Sequence, residues 1–268
     1  MWQKNATGRQ LARVSSVKHR ETIWSELYAG NRHTVSCFQP AVIGAEKALE
    51  LKEERRKRIV WRMDGGSGSD EQLKWLLERE YNVVAKGFSN TRAYALARQV
   101  SRWDSYGDYQ LAEVSPNLGY RDDARFFVKR RRKDTRWVHS YYVSTLALPS
   151  KGQFLDTYHR RGGAEVEQFR QDKQGFHLAD RRKSSFCGQQ AYVLLTDLAH
   201  NLLAHFRHHA LCDTRFESFG VKRIVRDLLH IPGNLFFDNG QLIRIELLST
   251  NPNSQQLLIC LENYLSAQ

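Results

Sequence analysis

Residues 59–70 read Ile59-Val60-Trp61-Arg62-Met63-Asp64-Gly65-Gly66-Ser67-Gly68-Ser69-Asp70, and this stretch decides the fold. Its first half is short, apolar and partly β-branched, which predicts a strand that ends at Asp64. The glycines predict a tight turn. Ser69 is a residue type that caps helices, so a helix is expected over Asp70 to Glu80. Asp64 therefore follows the carboxyl end of a strand, where α/β sheets bind ligands.

Asp64 also has an ordinary explanation, because aspartate before glycine is a common turn residue. The loop that follows, Gly65 to Ser69, lacks the Gly-Lys-Ser/Thr ending of a phosphate-binding P-loop. This segment alone leaves both interpretations open, a turn residue and a ligand-binding carboxylate.

The segments on either side of this stretch predict a mixed α/β domain over residues 1–86. Strands are expected first, then a helix that Pro40 opens, and a last strand: Gln10 to Ser16, Thr22 to Tyr28, Ala41 to Lys52, and Asn82 to Lys86. Strands and helices in this order are typical of a mixed sheet flanked by helices.

The rest of the chain divides into three parts. Residues 87–157 contain mainly alternating polar and apolar segments, which predict a β-rich insertion. Residues 158–210 return to helical periodicity, and residues 211–268 form a smaller α/β tail. The predicted fold is therefore a mixed sheet, interrupted by a β-rich insertion and followed by a helical C-terminal part.

Two helices are expected within residues 158–210. One starts near Gly163, and the other runs from Gln189 to His209. The helical spacing of its apolar residues predicts that the second helix buries these side chains: Val193, Leu194, Leu198, Ala199, Leu202, Leu203 and Phe206. In the tail, Asn239-Gly240 predicts a hairpin turn, and a last helix is expected over Ser254 to Leu265.

The charge balance points to a polyanionic partner. The 268 residues include 41 Lys and Arg against 29 Asp and Glu, for a net charge of +12. Basic side chains gain binding free energy by displacing counterions from phosphates. The basic residues are spread over several segments and do not gather beside an apolar stretch, which favours nucleic acid over a membrane surface.

The cysteines and histidines do not predict a disulfide framework or a metal centre. The four cysteines form no Cys-x-x-Cys pair, which fits a reducing cytoplasm: Cys37, Cys187, Cys212 and Cys260. His205 and His209 share a helix face, but no third ligand is evident, so a structural role is favoured.

The basic run Lys129-Arg130-Arg131-Arg132-Lys133 has two interpretations. With aromatic residues close by in the sequence, it is a candidate for tracking a phosphate backbone. A solvated, charged hairpin is the alternative, and the sequence favours neither.

A second carboxylate lies in residues 158–175, which read YHRRGGAEVEQFRQDKQG. On a helix, Glu165, Phe169 and Lys173 share one face. Such a pattern is either an exposed salt-bridged helix or a metal-binding acid beside cations that hold phosphates.

The spacing Tyr158, two residues, Arg161, three residues, Glu165 resembles the YREK signature of insertion-sequence DDE transposases. The family lysine would fall at Asp172, whereas Lys173 comes one place later, and this departure leaves Glu167 as an alternative to Glu165. Three further stretches are similar to the same family: Arg62 to Leu73, Asp172 to Phe176 and Leu195 to Leu203.

The resemblance implies an RNase H-like fold and two-metal phosphoryl transfer on double-stranded DNA, both transposon ends and target. Asp64 and Glu165 would be catalytic ligands of Mg²⁺ or Mn²⁺, and DNA phosphates would be held by Tyr158, Arg161 and Lys173. It also implies a transposase dimer on DNA, in the bacterial cytoplasm at the nucleoid, with no membrane partner.

The resemblance requires a third acid, on a strand that precedes the first two strands found here. No aspartate occurs from Met1 to Met63. We therefore expect the first family aspartate to lie upstream of these residues, and the chain alone to be unable to cut DNA. The alternative function is a non-catalytic remnant that binds DNA or inhibits a full-length transposase.

Overall fold

The computed structural model describes residues 8–32, 34–180 and 183–266, apart from the side chains of residue 34 and of residues 161–167. It divides into two compact units. The first comprises residues 23–163 with the segment that ends at residue 14, and the second comprises the residues from 164 onward with residues 15–22. No helix among the described residues is both long enough and apolar enough to cross a membrane.

The first unit contains most of the strands. In chain order its elements are β1 (Arg9–Ser15), β2 (Thr22–Ala29), α1 (Thr34–Ala48), a 3₁₀ segment (Glu53–Arg58), β3 (Val60–Met63), α2 (Asp70–Glu78), β4 (Asn82–Lys86), α3 (Asn90–Ala97), β5 (Asp104–Tyr106), β6 (Tyr109–Val114), β7 (Arg125–Lys133), β8 (Arg136–Ser144) and α4 (Lys151–His159).

The second unit is mainly helical. Its elements are α5 (Arg161–Gly175), α6 (Phe186–His209), α7 (Val221–Ile224) with a π-helical extension (Val225–Leu229), β9 (Gly233–Asp238), β10 (Gln241–Leu247) and α8 (Ser254–Ser266). Asn239 and Gly240 have φ angles of 48° and 80° in the turn between β9 and β10, which confirms the predicted hairpin.

A six-stranded mixed sheet, in the order β3-β4-β8-β7-β6-β5, organises the first unit. Strands β3 and β4 run parallel, and the other neighbouring pairs are antiparallel. The strands of residues 87–157 thus hydrogen-bond into the same sheet as β3 and β4. This mixed α/β architecture is compatible with an RNase H-like fold.

Side chains alternate between the two faces of a sheet along each strand, so apolar residues of these strands lie on both faces. Helices cover each face. On one face, Trp61 and Met63 of β3 pack in a core with residues of α1, α2 and α3. On the other face, Val60 packs in a second core with α4, which contributes Phe154, Leu155 and Tyr158. Strand β3 is an edge strand of this sheet, so the residues that follow it lie at a corner.

The predicted helix over Asp70 to Glu80 is confirmed as α2, which ends at Glu78. Ser69 caps it, with its hydroxyl accepting a hydrogen bond from the Gln72 N–H at 3.4 Å. The strand predicted over Asn82 to Lys86 is confirmed with the same bounds.

The prediction that Pro40 opens a helix was wrong. Helix α1 begins six residues earlier, at Thr34, and Pro40 lies inside it. Proline in a helix interior removes one backbone hydrogen bond. The burial of Cys37, Ala41 and Ala45 on one face of the helix favours the longer element in spite of that loss.

The predicted burial of α6 was also wrong at three leucines. Leu194, Leu198 and Leu202 are exposed, whereas Val193 and Leu203 are buried as expected. Periodicity shows that a helix has an apolar face, but the polar contacts of α6 determine which face turns inward. Helix α4 was not predicted.

Candidate functional site

Asp64 is an exposed carboxylate directly after β3. Its Oδ1 atom accepts a hydrogen bond from the Gly66 N–H at 2.9 Å, and its backbone oxygen accepts one from Ser67 at 3.3 Å. No cationic side chain lies within ion-pair distance of it in the described part of the chain. The turn therefore orients the carboxylate and leaves its Oδ2 atom open to a ligand.

The loop after Asp64 is held against the next strand at Gly68. A Cβ atom on Gly68 would come within 1.9 Å of the backbone oxygen of Lys86, so a larger residue cannot occupy this position without moving the backbone. The backbone oxygen of Gly68 accepts a hydrogen bond from the Phe88 N–H at 3.0 Å. Gly68 thus fixes the loop beside the end of β4.

Asp70, six residues later, has the opposite environment. Arg92 forms an ion pair with it, and the Tyr120 hydroxyl donates a hydrogen bond to Oδ1 at 2.8 Å. Burial, followed by the hydrogen bond to Asp70, raises the pKa of Tyr120 well above its usual value. Asp70 therefore ties α2 to its neighbours and is occupied by protein partners.

Lys86 lies beside Asp64, and sequence reasoning missed it. Met63 pairs with Ala85 in the parallel register of β3 and β4, so Asp64 and Lys86 each follow one member of this pair. A Cβ atom at Gly65 would lie 3.7 Å from the Lys86 side chain. The sequence could have indicated this position, because Lys86 ends the strand that comes next in the chain after the strand before Asp64.

Two arginines form a second unpredicted feature of this corner. Arg62 of β3 is half-buried, and burial, then the nearby charge of Arg160, lowers its pKa. Neither arginine has a carboxylate within ion-pair distance among the residues that the structure describes. Two guanidinium groups without an acid would be stabilised by an anion between them.

The basic run of residues 129–133 does not act as one set. Arg130 lies between two indole rings, with its guanidinium carbon 4.2 Å from the ring centre of Trp103 and 4.5 Å from that of Trp137. Its Nε atom also donates to Gln110 at 2.6 Å. Lys129 lies over the ring of Tyr109, and burial lowers the pKa of Lys129. Lys129 and Arg130 are therefore engaged within the sheet.

The remaining cations of the run are available to a partner. Arg131, Arg132 and Lys133 are all exposed at the end of the β7–β8 hairpin. Asp134 makes the turn with a φ angle of 54°. A DNA contact by this run would therefore be made by its last three residues.

The residues predicted around the second carboxylate are described only in part. The side chains of Arg161, Glu165 and Glu167 lie outside the described residues, although helix α5 includes their positions. Tyr158 is buried, with its ring centre 4.9 Å from that of Tyr142. Tyr158 thus contributes to the core beneath the sheet.

Asp172 and Lys173 differ sharply although they are adjacent. Lys173 is exposed. Asp172 is fully buried, and its Oδ1 atom lies 2.7 Å from His200 Nδ1, while His200 Nε2 lies 2.7 Å from the backbone oxygen of Arg20. A carbonyl oxygen only accepts, so the Nε2–H of His200 donates to it. Lys173 is therefore the residue of this pair that faces solvent.

One other group of possible metal ligands occurs among the described residues: Cys212, Asp213 and Glu217. It is exposed. Partial desolvation of the sulfur, followed by the charge of Asp213, raises the pKa of Cys212, which disfavours the thiolate that a metal needs. Asp64 is a better fit to a hard cation, because its unpaired carboxylate is held in place by the backbone of its own loop.

A family model described as "Transposase DDE domain group 1" matches residues 22–267 of the chain. No curated protein matches the chain.

Proposed function

The chain belongs to the transposase DDE domain group 1 family, and we propose that it is the catalytic region of a transposase that cuts and joins transposon-end DNA. The observation that carries this proposal is Asp64. It is an exposed carboxylate at the carboxyl end of β3, without a cationic partner among the described residues. The parallel β3–β4 pair within a helix-covered mixed sheet supports an RNase H-like core.

In this proposal Asp64 and Glu165 hold Mg²⁺ or Mn²⁺ in a two-ion site, with Glu167 as the alternative to Glu165. Carboxylate oxygens are the ligands that Mg²⁺ prefers. Such ions, when bound, activate the attacking oxygen and stabilise the leaving oxygen. Asp64 contributes an oxygen whose direction the Gly66 N–H fixes. Lys86, next to it, is placed to offset the charge of the scissile phosphate.

The DNA backbone is bound by cations around this corner. Arg62 and Arg160 offer two guanidinium groups without an acid partner among the described side chains, and guanidinium binds phosphate with two parallel hydrogen bonds. Arg131, Arg132 and Lys133 extend the contact along the β7–β8 hairpin. Arg161 and Lys173 complete the set by family resemblance, with Tyr158 supporting it from within the core.

The first aspartate of the family site is not supplied by the residues before Asp64, since no aspartate occurs from Met1 to Met63. We therefore propose that residues 1–268 bind DNA but do not cut it by themselves. The same observation favours the alternative function, a non-catalytic DNA-binding or inhibitory remnant of a transposase. Family membership also supports a dimer on DNA at the bacterial nucleoid.

Purified residues 1–268, incubated with Mg²⁺ or Mn²⁺ and an end-labelled duplex carrying the DNA that flanks the coding region, test this proposal. We expect a salt-sensitive mobility shift and no strand cleavage. If the chain cuts DNA and Asp64→Asn abolishes the cleavage, the proposal that the chain is inactive alone is contradicted, and its assignment as an enzyme is supported. Failure to bind any duplex at low salt would contradict the transposase function itself.

A further inference from the structure

Helix α6 holds the loop of residues 15–22 with polar side chains that point inward. The side chain of Asn201 accepts a hydrogen bond from the Thr22 N–H at 2.8 Å and donates one to the Thr22 oxygen, also at 2.8 Å. The buried His200 donates from Nε2 to the backbone oxygen of Arg20 at 2.7 Å. These bonds fix the loop against α6, and they help to explain why this helix buries a polar face.

The loop presents cations on a fixed backbone. Lys18, His19 and Arg20 are consecutive and exposed. Arg20 has a φ angle of 58°, and its N–H donates to the backbone oxygen of Ser16 at 2.9 Å. A residue other than glycine keeps this left-handed conformation where the surrounding contacts impose it. The direction in which the Arg20 side chain leaves the loop is therefore set by the fold.

Arg207 of α6 lies close to this loop. It follows His200 by about two helical turns, so both side chains emerge on the same face of α6. The Arg207 side chain is half-buried, and its Nη2 atom donates to the backbone oxygen of Glu217 at 3.1 Å. Burial, followed by the charge of Arg20, lowers the pKa of Arg207. Two guanidinium groups from separate segments thus lie close enough to repel each other.

The acids near the two arginines are engaged with other groups. In the part of the chain that the structure describes, neither guanidinium has a carboxylate within ion-pair distance. Glu217 offsets some of the repulsion from farther away, while its carboxylate accepts the Asp213 N–H at 3.2 Å. Glu21, next to Arg20 in the chain, has its charge close to His209. A half-buried charge without a paired acid destabilises the fold, and an anion bound from solution would offset this cost.

The end of α6 offers a simpler explanation for part of this charge. Arg207, His208 and His209 lie in the last turn of the helix, where the negative end of the helix dipole stabilises cations. The hydrogen bond of Arg207, however, goes to Glu217, outside the helix. The dipole also does not explain why α6 holds a separate loop so that Arg20 meets Arg207. The convergence of the two arginines therefore needs a second reason.

We propose that Arg20 and Arg207 form a phosphate-binding site on the second unit, with Lys18 and His19 at its rim, and that this site binds the backbone of duplex DNA. Guanidinium groups donate paired hydrogen bonds to phosphate oxygens, so two of them can hold one phosphate group together. The net charge of +12 favours such a ligand. The site adds a contact on the second unit to those proposed around Asp64, and its identification as a DNA contact rests on the proposed function.

Fluorescence anisotropy of a labelled duplex at several salt concentrations tests the site in the full 268-residue chain. Arg20→Gln/Arg207→Gln should lower the slope of log K against log salt by about 2, at about 0.9 per lost phosphate contact. Arg20→Gln alone, which changes an exposed side chain, should lower it by about 1. The control Arg102→Gln/Lys222→Gln removes exposed cations elsewhere and should keep the wild-type slope. Wild-type slopes in both arginine variants would overturn the site and leave the proposed function intact.

Protection of the wild-type arginines from phenylglyoxal, followed by mass spectrometry, identifies the source of the phosphate without any variant. We expect the duplex to slow the modification of Arg20 severalfold more than inorganic phosphate does, and to leave the exposed Arg102 unprotected. Protection by inorganic phosphate alone would assign the site to a free anion and overturn the DNA contact. Equal protection of Arg20 and Arg102, or protection of neither, would overturn the site. A wild-type chain that binds no duplex would contradict the proposed function and the DNA contact together.

Discussion

Asp64 and Asp70 bracket one glycine loop, and their surroundings separate a carboxylate that is open to solvent from one that is engaged within the fold. Asp70 is engaged by Arg92 and Tyr120, whereas Asp64 has a backbone N–H as its partner. Paired carboxylates hold a fold together, while an oriented carboxylate without a cation can accept one from solution. The sequence predicts the position of Asp64 after a strand, but the occupancy of Asp70 depends on residues far away in the chain.

Asp172 is a second carboxylate that is engaged within the fold, and it stands where the family pattern has lysine. It is fully buried against His200, so this position serves the interior of the second unit. Asp172→Asn should lower the free energy of unfolding by about 1–3 kcal/mol, because it disturbs a buried hydrogen bond to His200. Urea denaturation, monitored by far-ultraviolet circular dichroism, measures the loss of stability.

The control for this variant is Asp122→Asn, at an exposed loop position. It should change stability by less than about 0.5 kcal/mol. If both variants unfold at the same urea concentration as the wild type, the His200–Asp172 contact does not stabilise the fold.

Glu46 connects several elements of the first unit. Its carboxylate receives Arg79 at 2.6 Å, the Tyr81 hydroxyl at 2.5 Å and Arg56 at 3.2 Å. Burial alone would raise the pKa of Glu46, but the hydrogen bonds from Arg79 and Tyr81 outweigh it and lower the pKa. A lowered pKa means that the contact stabilises the folded state above the usual glutamate pKa and is lost as the pH falls below it.

Glu46→Gln should therefore cost about 2 kcal/mol at pH 7, the range of hydrogen bonds to charged groups. The difference from the wild type should shrink below about pH 4, where the wild-type carboxyl is itself protonated in the unfolded chain. Urea titrations of both proteins across this range give the comparison. A difference that stays constant with pH would show that the charge of Glu46 has no role.

The β7–β8 hairpin is the second element with a testable role. Arg131, Arg132 and Lys133 are exposed, whereas Arg130 is stacked between tryptophans. Replacing the three exposed cations by glutamine should lower the slope of log K against log salt for duplex binding by about 2–3, at about 0.9 per lost phosphate contact. Fluorescence anisotropy at several salt concentrations measures this slope.

A triple variant of equal charge change, Lys47→Gln/Arg102→Gln/Lys222→Gln, serves as the control, since these residues are exposed in other parts of the chain. Its slope should remain close to that of the wild type. Equal slopes for both triple variants would remove the hairpin from the DNA path and leave only the effect of net charge.

Across the whole chain, local sequence patterns predicted the positions of helices, strands and turns better than they predicted which side chains are buried. The strand before Asp64, the cap at Ser69 and the Asn239-Gly240 turn are set by neighbouring residues, and the structure confirms them. The exposure of the α6 leucines and the pairing of Asp172 with His200 depend on segments more than twenty residues apart, which periodicity does not register. The nearness of Arg160 to Arg62 was missed for the same reason.

The metal-binding role proposed for Asp64 can be tested by cleavage of the chain near a bound ion. Fe²⁺ can replace Mg²⁺ at oxygen ligands, and with ascorbate and peroxide it cleaves a polypeptide close to where it is bound. We expect fragments that end near residue 64 in the wild-type chain and in Asp122→Asn, and their loss in Asp64→Asn. Unchanged cleavage in Asp64→Asn, or no cleavage near residue 64 in the folded wild type, would contradict the account.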